Sequence, residues 1–227
     1  MIDLHMHTLL SDGELLPSEL AQRCVAAGYS AMAITDHADS SNLEQLIMSA
    51  CRIAQDFNSK KNPRIRVVPG IELTHVIPNM IAGMTERARS LGARIVVVHG
   101  ETVCEPVPKG TNRAAIEAGV DILAHPGLIA KEDVERARDR GVALEITTRR
   151  AHGITNGHVA RLAREAGATM VLNSDTHGPD DILSARVRER AILGAGLDAG
   201  FLEKLASNSF RLVEKLMGKI MNEGGGK

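Results

Sequence analysis

Residues 2–8 read IDLHMHT, a short apolar run that turns polar at its end and places two histidines two positions apart. Alternate residues of a strand share a side, so His5 and His7 point the same way. The pattern recurs down the chain. AMAIT at 31–35 runs into Asp36-His37; IRVV at 65–68 continues into IEL at 71–73 with Glu72. RIVVV at 94–98 is followed by His99, DILA at 121–124 by His125, and TMVLN at 169–173 by Ser174-Asp175-Thr176-His177. ALEIT at 143–147 is the seventh such run, and it ends in Thr148-Arg149-Arg150-Ala151-His152 with no ligand-type residue at its tip. The runs are apolar on both faces, the habit of a parallel sheet covered by helices.

Helix-like stretches with recognisable ends lie between them. Pro17 opens the first and Gly28 closes it; Ser40 or Ser41 is expected to cap the second, with Glu44 completing a capping box. Pro78 to Gly92 bounds the third, Asn112 is expected to cap the fourth near Gly119, and Asn156 the sixth near Gly167. Residues 179–217 read as helical, broken around Gly194 to Gly200. Seven βα units follow without a linker, so the chain is expected to form an α/β fold, one domain over 1–220 with a disordered tail at 221–227. An open doubly wound sheet gathers polar residues at one crevice. A barrel gathers them at the C-terminal end of nearly every strand, as here, so a closed (β/α)7, TIM-like barrel is expected.

Composition narrows the function. The 227 residues carry 27 basic and 28 acidic side chains, no Trp and one Tyr. With no basic run and few rings on which bases stack, nucleic acid is an unlikely partner. The three cysteines fit a reducing, cytoplasmic setting, and no apolar stretch suggests a signal peptide or a membrane partner. Nothing in the composition bears on oligomeric state.

One histidine at a strand end is ordinarily hydrogen-bonded or solvated. Six of nine at strand ends, with acids among them, form a metal-binding pattern for Zn, Mn or Fe. DLHMHT with SDG, TDH, GIE, VVHG, AHPG and SDTH, in this order, resembles the polymerase and histidinol phosphatase (PHP) family over nearly the whole chain, closest to stand-alone, archaeal-type, histidinol-phosphatase-like members. That resemblance implies a distorted seven-stranded barrel and three divalent metal ions. Carried over, their ligands are His5, His7, Asp12, His37, Glu72, His99, His125, Asp175 and His177. It groups His5, His7, Glu72 and Asp175 on one ion, Glu72, His99 and His125 on a second, and Asp12, His37 and His177 on a third.

Three divalent ions against three carboxylates leave a surplus near +3, which suits a phosphate monoester dianion. A metal-bridging hydroxide is then the expected nucleophile, with Glu72 and Asp175 in the catalytic centre. His152 is placed to protonate a leaving alkoxide. Arg149, with Arg150 and Arg113 behind it, is the candidate grip on phosphate, Arg113 because it opens a helix whose N-terminus favours anions. Glu101 is a candidate to orient a ligand histidine, while His75 and His158 look incidental. The resulting expectation is a phosphatase for a small phosphorylated substrate. The alternatives are a nuclease or phosphodiesterase, for which charge and aromatics are unfavourable, an amidohydrolase-type enzyme, which ordinarily bridges its metals with a Lys absent here, and a non-enzymatic scaffold, which would have lost ligands.

Overall fold

In a computed structural model that describes residues 1–59 and 63–218, every strand pair is parallel. The strands are β1 (Ile2–Asp3), β2 (Ala31–Ile34), β3 (His37–Ala38), β4 (Arg66–Leu73), β5 (Ile95–His99), β6 (Ile122–Ala124), β7 (Ala143–Thr147) and β8 (Met170–Asn173). The expected seven runs are all present. The second is split, because β3 continues β2 against the same neighbour: Ile34 pairs Pro69 and His37 pairs Glu72 without a change of register. Pro69 offers no N–H to a ladder, which suits a central strand only where its neighbour is interrupted.

The sheet order β1-β2-β4-β5-β6-β7-β8 curls round until β1 and β8 meet at a seam with no ladder of its own. Low on that seam side chains replace the ladder: Asn173 Oδ1 accepts from Leu4 N at 2.9 Å, and Asp3 Oδ2 accepts from Ser174 N at 3.0 Å. Higher up the backbones meet, with a Met6–Thr176 bridge, His7 N donating to Thr176 O at 2.8 Å and Asp175 N to His5 O at 3.1 Å. The seam therefore draws His5 and His7 beside Asp175 and His177. The result is a nearly closed, distorted TIM-like barrel of seven strand positions, as expected.

The barrel interior is narrow. Ala31, Ala33, Ala124 and Ala143 line it with Val68, Val97 and Val171. At Gly70 a Cβ would lie 2.3 Å from the Ile95 side chain, so only glycine fits. Helices α1 (Pro17–Ala26), α2 (Leu43–Asn58), α3 (Pro78–Ser90), α4 (Thr111–Ala118), α5 (Lys131–Arg140), α6 (Asn156–Ala166) and α7 (Ala185–Gly194) complete the outer layer. The last helix, α8 (Gly200–Met217), seals the end where the strands begin, with Val213, Leu212, Leu216 and Met217 packed on the interior residues. The opposite end stays open to the strand-to-helix loops.

Three expected caps are corrected. Helix α2 starts after Asn42, and Ser41 instead donates to Asp39. Helix α4 starts after Gly110, and the Asn112 side chain ties Glu101 N to Pro126 O. Helix α6 starts after Thr155, and Asn156 clasps both backbone groups of Thr147. Each amide serves a strand-end loop, a tertiary use that local pattern does not reveal. The expected boundary at 220 and the tail 221–227 lie outside the described residues. No helix among the described residues is long and apolar enough to cross a membrane.

Candidate metal centre

The candidate ligands come together at the open end because each lies at the C-terminal end of a strand or in the loop beyond it. His37 on β3 pairs in register with Glu72 on β4, and its Nδ1 lies 2.7 Å from Glu72 Oε2. His5 Nε2 is 3.2 Å from Glu72 Oε1, and His7 Nε2 is 3.2 Å from Asp175 Oδ1. His125 Nε2 faces Glu72 at 3.7 Å and Asp175 at 3.6 Å. Asp12, at the rim, lies 3.2 Å from His177 and 3.5 Å from His37.

Holding the residues there costs backbone freedom. His125 and Asp175 adopt left-handed φ values of 26° and 55°, conformations that non-glycine residues rarely take and that cluster at functional sites. The motif glycines allow close packing around them. A Cβ at Gly13 would sit 2.6 Å from His7 O, and one at Gly127, itself at φ 62°, would sit 1.9 Å from Glu101 O.

The residues fit divalent ions on two counts. Two donors about 2.1 Å from one ion and roughly 90–110° apart lie about 3.0–3.4 Å from each other. Three cross-pairs above, at 3.2 Å, have that spacing, while His37 Nδ1 and Glu72 Oε2, at 2.7 Å, are at hydrogen-bond distance. Six buried atoms of the candidate ligands have no hydrogen-bond partner: His5 Nε2, His7 Nδ1 and Nε2, Glu72 Oε1, His125 Nδ1 and Asp175 Oδ1. Each such atom costs about 1–3 kcal/mol when unpaired.

Protonation divides the candidate ligands. Against burial, Glu145 and Glu72 raise His5, Glu72 and Asp12 raise His37 to about 10, and Asp12 and Asp175 raise His177, so these three hold protons that a cation would have to displace. Burial holds His125 well below the ordinary histidine value and His7 down to about 4, leaving neutral imidazoles. Burial alone would raise Glu72 and Asp175, but His5 beside both, with His37 at Glu72 and His7 at Asp175, holds them below the usual carboxylate range.

Sequence reading missed Glu145. Fully buried on β7, the strand that ends without a ligand, it accepts from His5 Nδ1 at 2.8 Å, from Asn173 Nδ2 at 2.8 Å and from His125 N at 3.2 Å. These bonds turn His5 Nε2 inward. A lone acid inside the apolar run ALEIT was the available signal.

His152 enters the cluster. It stacks on His125 with ring centres 4.2 Å apart and hydrogen-bonds Thr102 Oγ1 through Nδ1 at 2.8 Å. Ligating atoms of His99, His125 and His152 lie within 4.8 Å of one another. His99 is also grouped with His75 and Glu105, neither of which sequence reading placed in the site.

Arg149 sits half-buried at the rim, 3.2 Å from Asp181 Oδ2, the oxygen that also accepts from His177 N. Arg150 is exposed. Arg113 pairs with Asp133 at 2.9 Å in a hollow lined by none of the nine candidate ligands. The start of α4 is filled by Glu101, whose Oε1 accepts from Gly110 N and Asn112 N at 3.0 Å, so Glu101 organises a loop rather than a ligand histidine. His158 is also engaged, with Nε2 2.8 Å from Ile129 O.

Residues 3–94 match the PHP domain model. The chain is 49% identical over 202 residues to uncharacterized protein MJ1295 of Methanocaldococcus jannaschii, covering 88% of this chain and 92% of that one. It is 32% identical over 167 residues to the 5'-3' exoribonuclease Rnm of Escherichia coli, covering 73% of this chain but only 48% of Rnm. Among solved structures, archaeal ribonuclease P with mature tRNA contains a similar chain, with a TM-score of 0.70, 16% identity and coverage of 99% and 96%. Histidinol phosphate phosphatase of Lactococcus lactis, complexed with zinc, L-histidinol and phosphate, gives 0.60, 16%, 86% and 94%. Fold, residues and relatives together define a metal-dependent hydrolase on a TIM-like barrel. The chain belongs to the PHP domain family.

Proposed function

We propose that this hydrolase is a phosphoesterase for a small phosphate monoester, with three divalent ions held by the nine candidate ligands. The observation that carries this reading is the set of six buried ligand atoms without hydrogen-bond partners at the barrel mouth, among them His5 Nε2 against Glu72 Oε1 and His7 Nε2 against Asp175 Oδ1. Divalent ions bound there supply positive charge for phosphoryl oxygens and a nucleophilic water near neutral pH.

The chain's own residues supply the rest. Glu72 lies between His5, His37 and His125 and is the natural bridge. Asp175 holds His7 and His125 from the other side of the seam. Arg149, fixed by Asp181 beside His177, is set to meet phosphate at the rim. His152 is set to give a proton to the leaving oxygen, with its ring fixed by Thr102 and by stacking on His125. Burial lowers its pKa, which makes its protonated form a stronger acid but a scarcer one near neutrality.

A nuclease reading has the similarity to Rnm in its favour. The charges at the mouth weigh against a polyanion. Outside the candidate ligands, the strand-to-helix loops carry Glu14, Asp39, Glu101, Glu105, Asp180 and Asp181 against Lys109, Arg149 and Arg150. A panel of phosphomonoesters, phosphodiesters, single-stranded DNA and RNA, run on protein of measured metal content, tests the proposal. Turnover of monoesters at least ten times faster than of diesters or nucleic acid is expected. Preferential cleavage of nucleic acid overturns the monoester reading.

A further inference from the structure

The loop 100–110 returns a carboxylate to the site that begins it. Glu105 Oε2 lies 3.1 Å from His99 Nε2 and 3.1 Å from His75 Nε2, and its Oε1 lies 3.5 Å from His152 Nε2. The rings of His75 and His99 are 5.1 Å apart. His99 Nδ1 is turned to Gly100 O at 3.2 Å, so Nε2 is the nitrogen His99 has left for a metal ion. That nitrogen faces Glu105, and ligating atoms of His75, His99 and Glu105 all lie within 4.8 Å of one another. His75 adopts a left-handed φ of 54° on the loop after β4, a strained conformation that an exposed, idle histidine has no reason to keep.

We infer that His75 and Glu105, both outside the nine candidate ligands, join His99 in a divalent-cation site at the rim, and that filling it pins the loop 100–110 across the barrel mouth. The two N···O separations of 3.1 Å match the edge of a coordination shell with bonds of about 2.1 Å. Two imidazoles and a carboxylate suit Zn or Mn. His75 and Glu105 are about two-fifths exposed, so an ion can enter from solvent. His99 Nε2 can bind only one ion, so the rim ion either displaces the second ion of the proposed centre or is that ion, with His75 and Glu105 completing its shell from outside. The inference thus rests on the metal-dependent reading but adds two ligands to it. It also gives the loop a purpose: the chain that carries Glu105 also carries Thr102, which fixes His152, so pinning one end orders the other.

The test uses the full chain stripped of metal and titrated with Zn or Mn against a chromophoric chelator, comparing wild type, His75→Ala, Glu105→Gln and Glu105→Asp. Both residues are at the surface, so the variants should fold. Hydrogen exchange across residues 101–109 is followed in parallel. In wild type, cation addition should slow exchange in this loop. In His75→Ala and Glu105→Gln the weakest class of site should lose at least tenfold in affinity and the loop should stay unprotected, while Glu105→Asp should recover part of both. Variants that bind as many ions as wild type, as tightly, with the same loop protection, overturn the inference. The phosphatase reading fails separately, when fully loaded wild type turns over no monoester.

Discussion

Glu145→Ala removes one acceptor from three buried donors: His5 Nδ1, Asn173 Nδ2 and His125 N. None of the three can reach water, because Glu145, His5 and Asn173 are fully buried and His125 nearly so. At about 1–3 kcal/mol per unpaired donor the upper sum is roughly 9 kcal/mol. Loss of the carboxylate's own burial penalty offsets part of this, so about 3–5 kcal/mol is the expected cost, the scale of breaking a buried charged pair. For a chain of this size that is a fall in Tm on the order of 10 °C in metal-free protein. Glu145→Gln separates structure from ligation. A glutamine that keeps its oxygen toward His5 and Asn173 turns its NH2 against His125 N–H. If it turns the NH2 toward His5 instead, it favours the tautomer with the proton on Nε2, the nitrogen that faces Glu72 and Asp175. Either way cation affinity should fall by about 10–100-fold, the usual effect of losing an outer partner of a ligand histidine. Thermal unfolding without metal and cation titration measure the two effects. A Glu145→Gln protein that binds cations as tightly as wild type would refute the assignment of Glu145 as the group that orients His5.

Glu72→Gln should cut turnover by more than about 10²-fold, the scale of one strong electrostatic element, and lower metal content with it; near-normal turnover at full metal content removes the bridge. Arg149→Ala should lower kcat/KM by roughly 10- to 150-fold, the worth of a charged hydrogen bond of about 1.5–3 kcal/mol, with metal content unchanged, and Arg150→Ala should do less. Twofold or smaller effects at both would place the phosphate grip elsewhere. Asp121→Asn tests a pH dependence away from the site. Burial raises the pKa of Asp121, with Arg89 at 3.1 Å working against it. A carboxyl raised in the folded state contributes stability that is present below its unfolded value near 3.8 and is lost as pH rises through the folded value. Asparagine can still accept from Val96 N and does not ionise. The Tm of the variant relative to wild type should therefore rise between pH 4 and pH 7; a constant difference contradicts the shift.

The barrel was legible because its information is local. Apolar runs of strand length, each ending in a polar residue, fix the seven strands and the face on which their ends meet. His5, His7, Asp175 and His177 could be paired across a seam from spacing alone, since β1 and β8 must be neighbours in a closed barrel. Residues that act through partners distant in sequence were not legible. Glu145 reaches His5 across 140 positions, and Glu105 reaches His75 across 30. Asn112 and Asn156 look like helix caps because Asn favours caps, yet both amides are spent on loops. Arg113 shows the same limit from the other side. A helix N-terminus predicts an anion there, and the anion proves to be the chain's own Glu101.

The two ends of the barrel divide the work of this chain. At the closed end α8 fills the interior with Val213 and its neighbours, and apolar burial there needs no ligand. At the open end the order is reversed: left-handed residues, partnerless nitrogens and neighbouring carboxylates are gathered where each costs stability. Such an end persists only if the rest of the fold over-determines it. The second ring of contacts does so, with Glu145 on His5, Asp36 on Thr8 and Ser11, and Asp181 on His177 and Gly178. These carboxylates bond to the backbone and side chains around the candidate ligands rather than to the centre's inward-facing atoms. They set the loops without filling the space between Glu72, Asp175 and the histidines, which leaves the inward-facing lone pairs for cations.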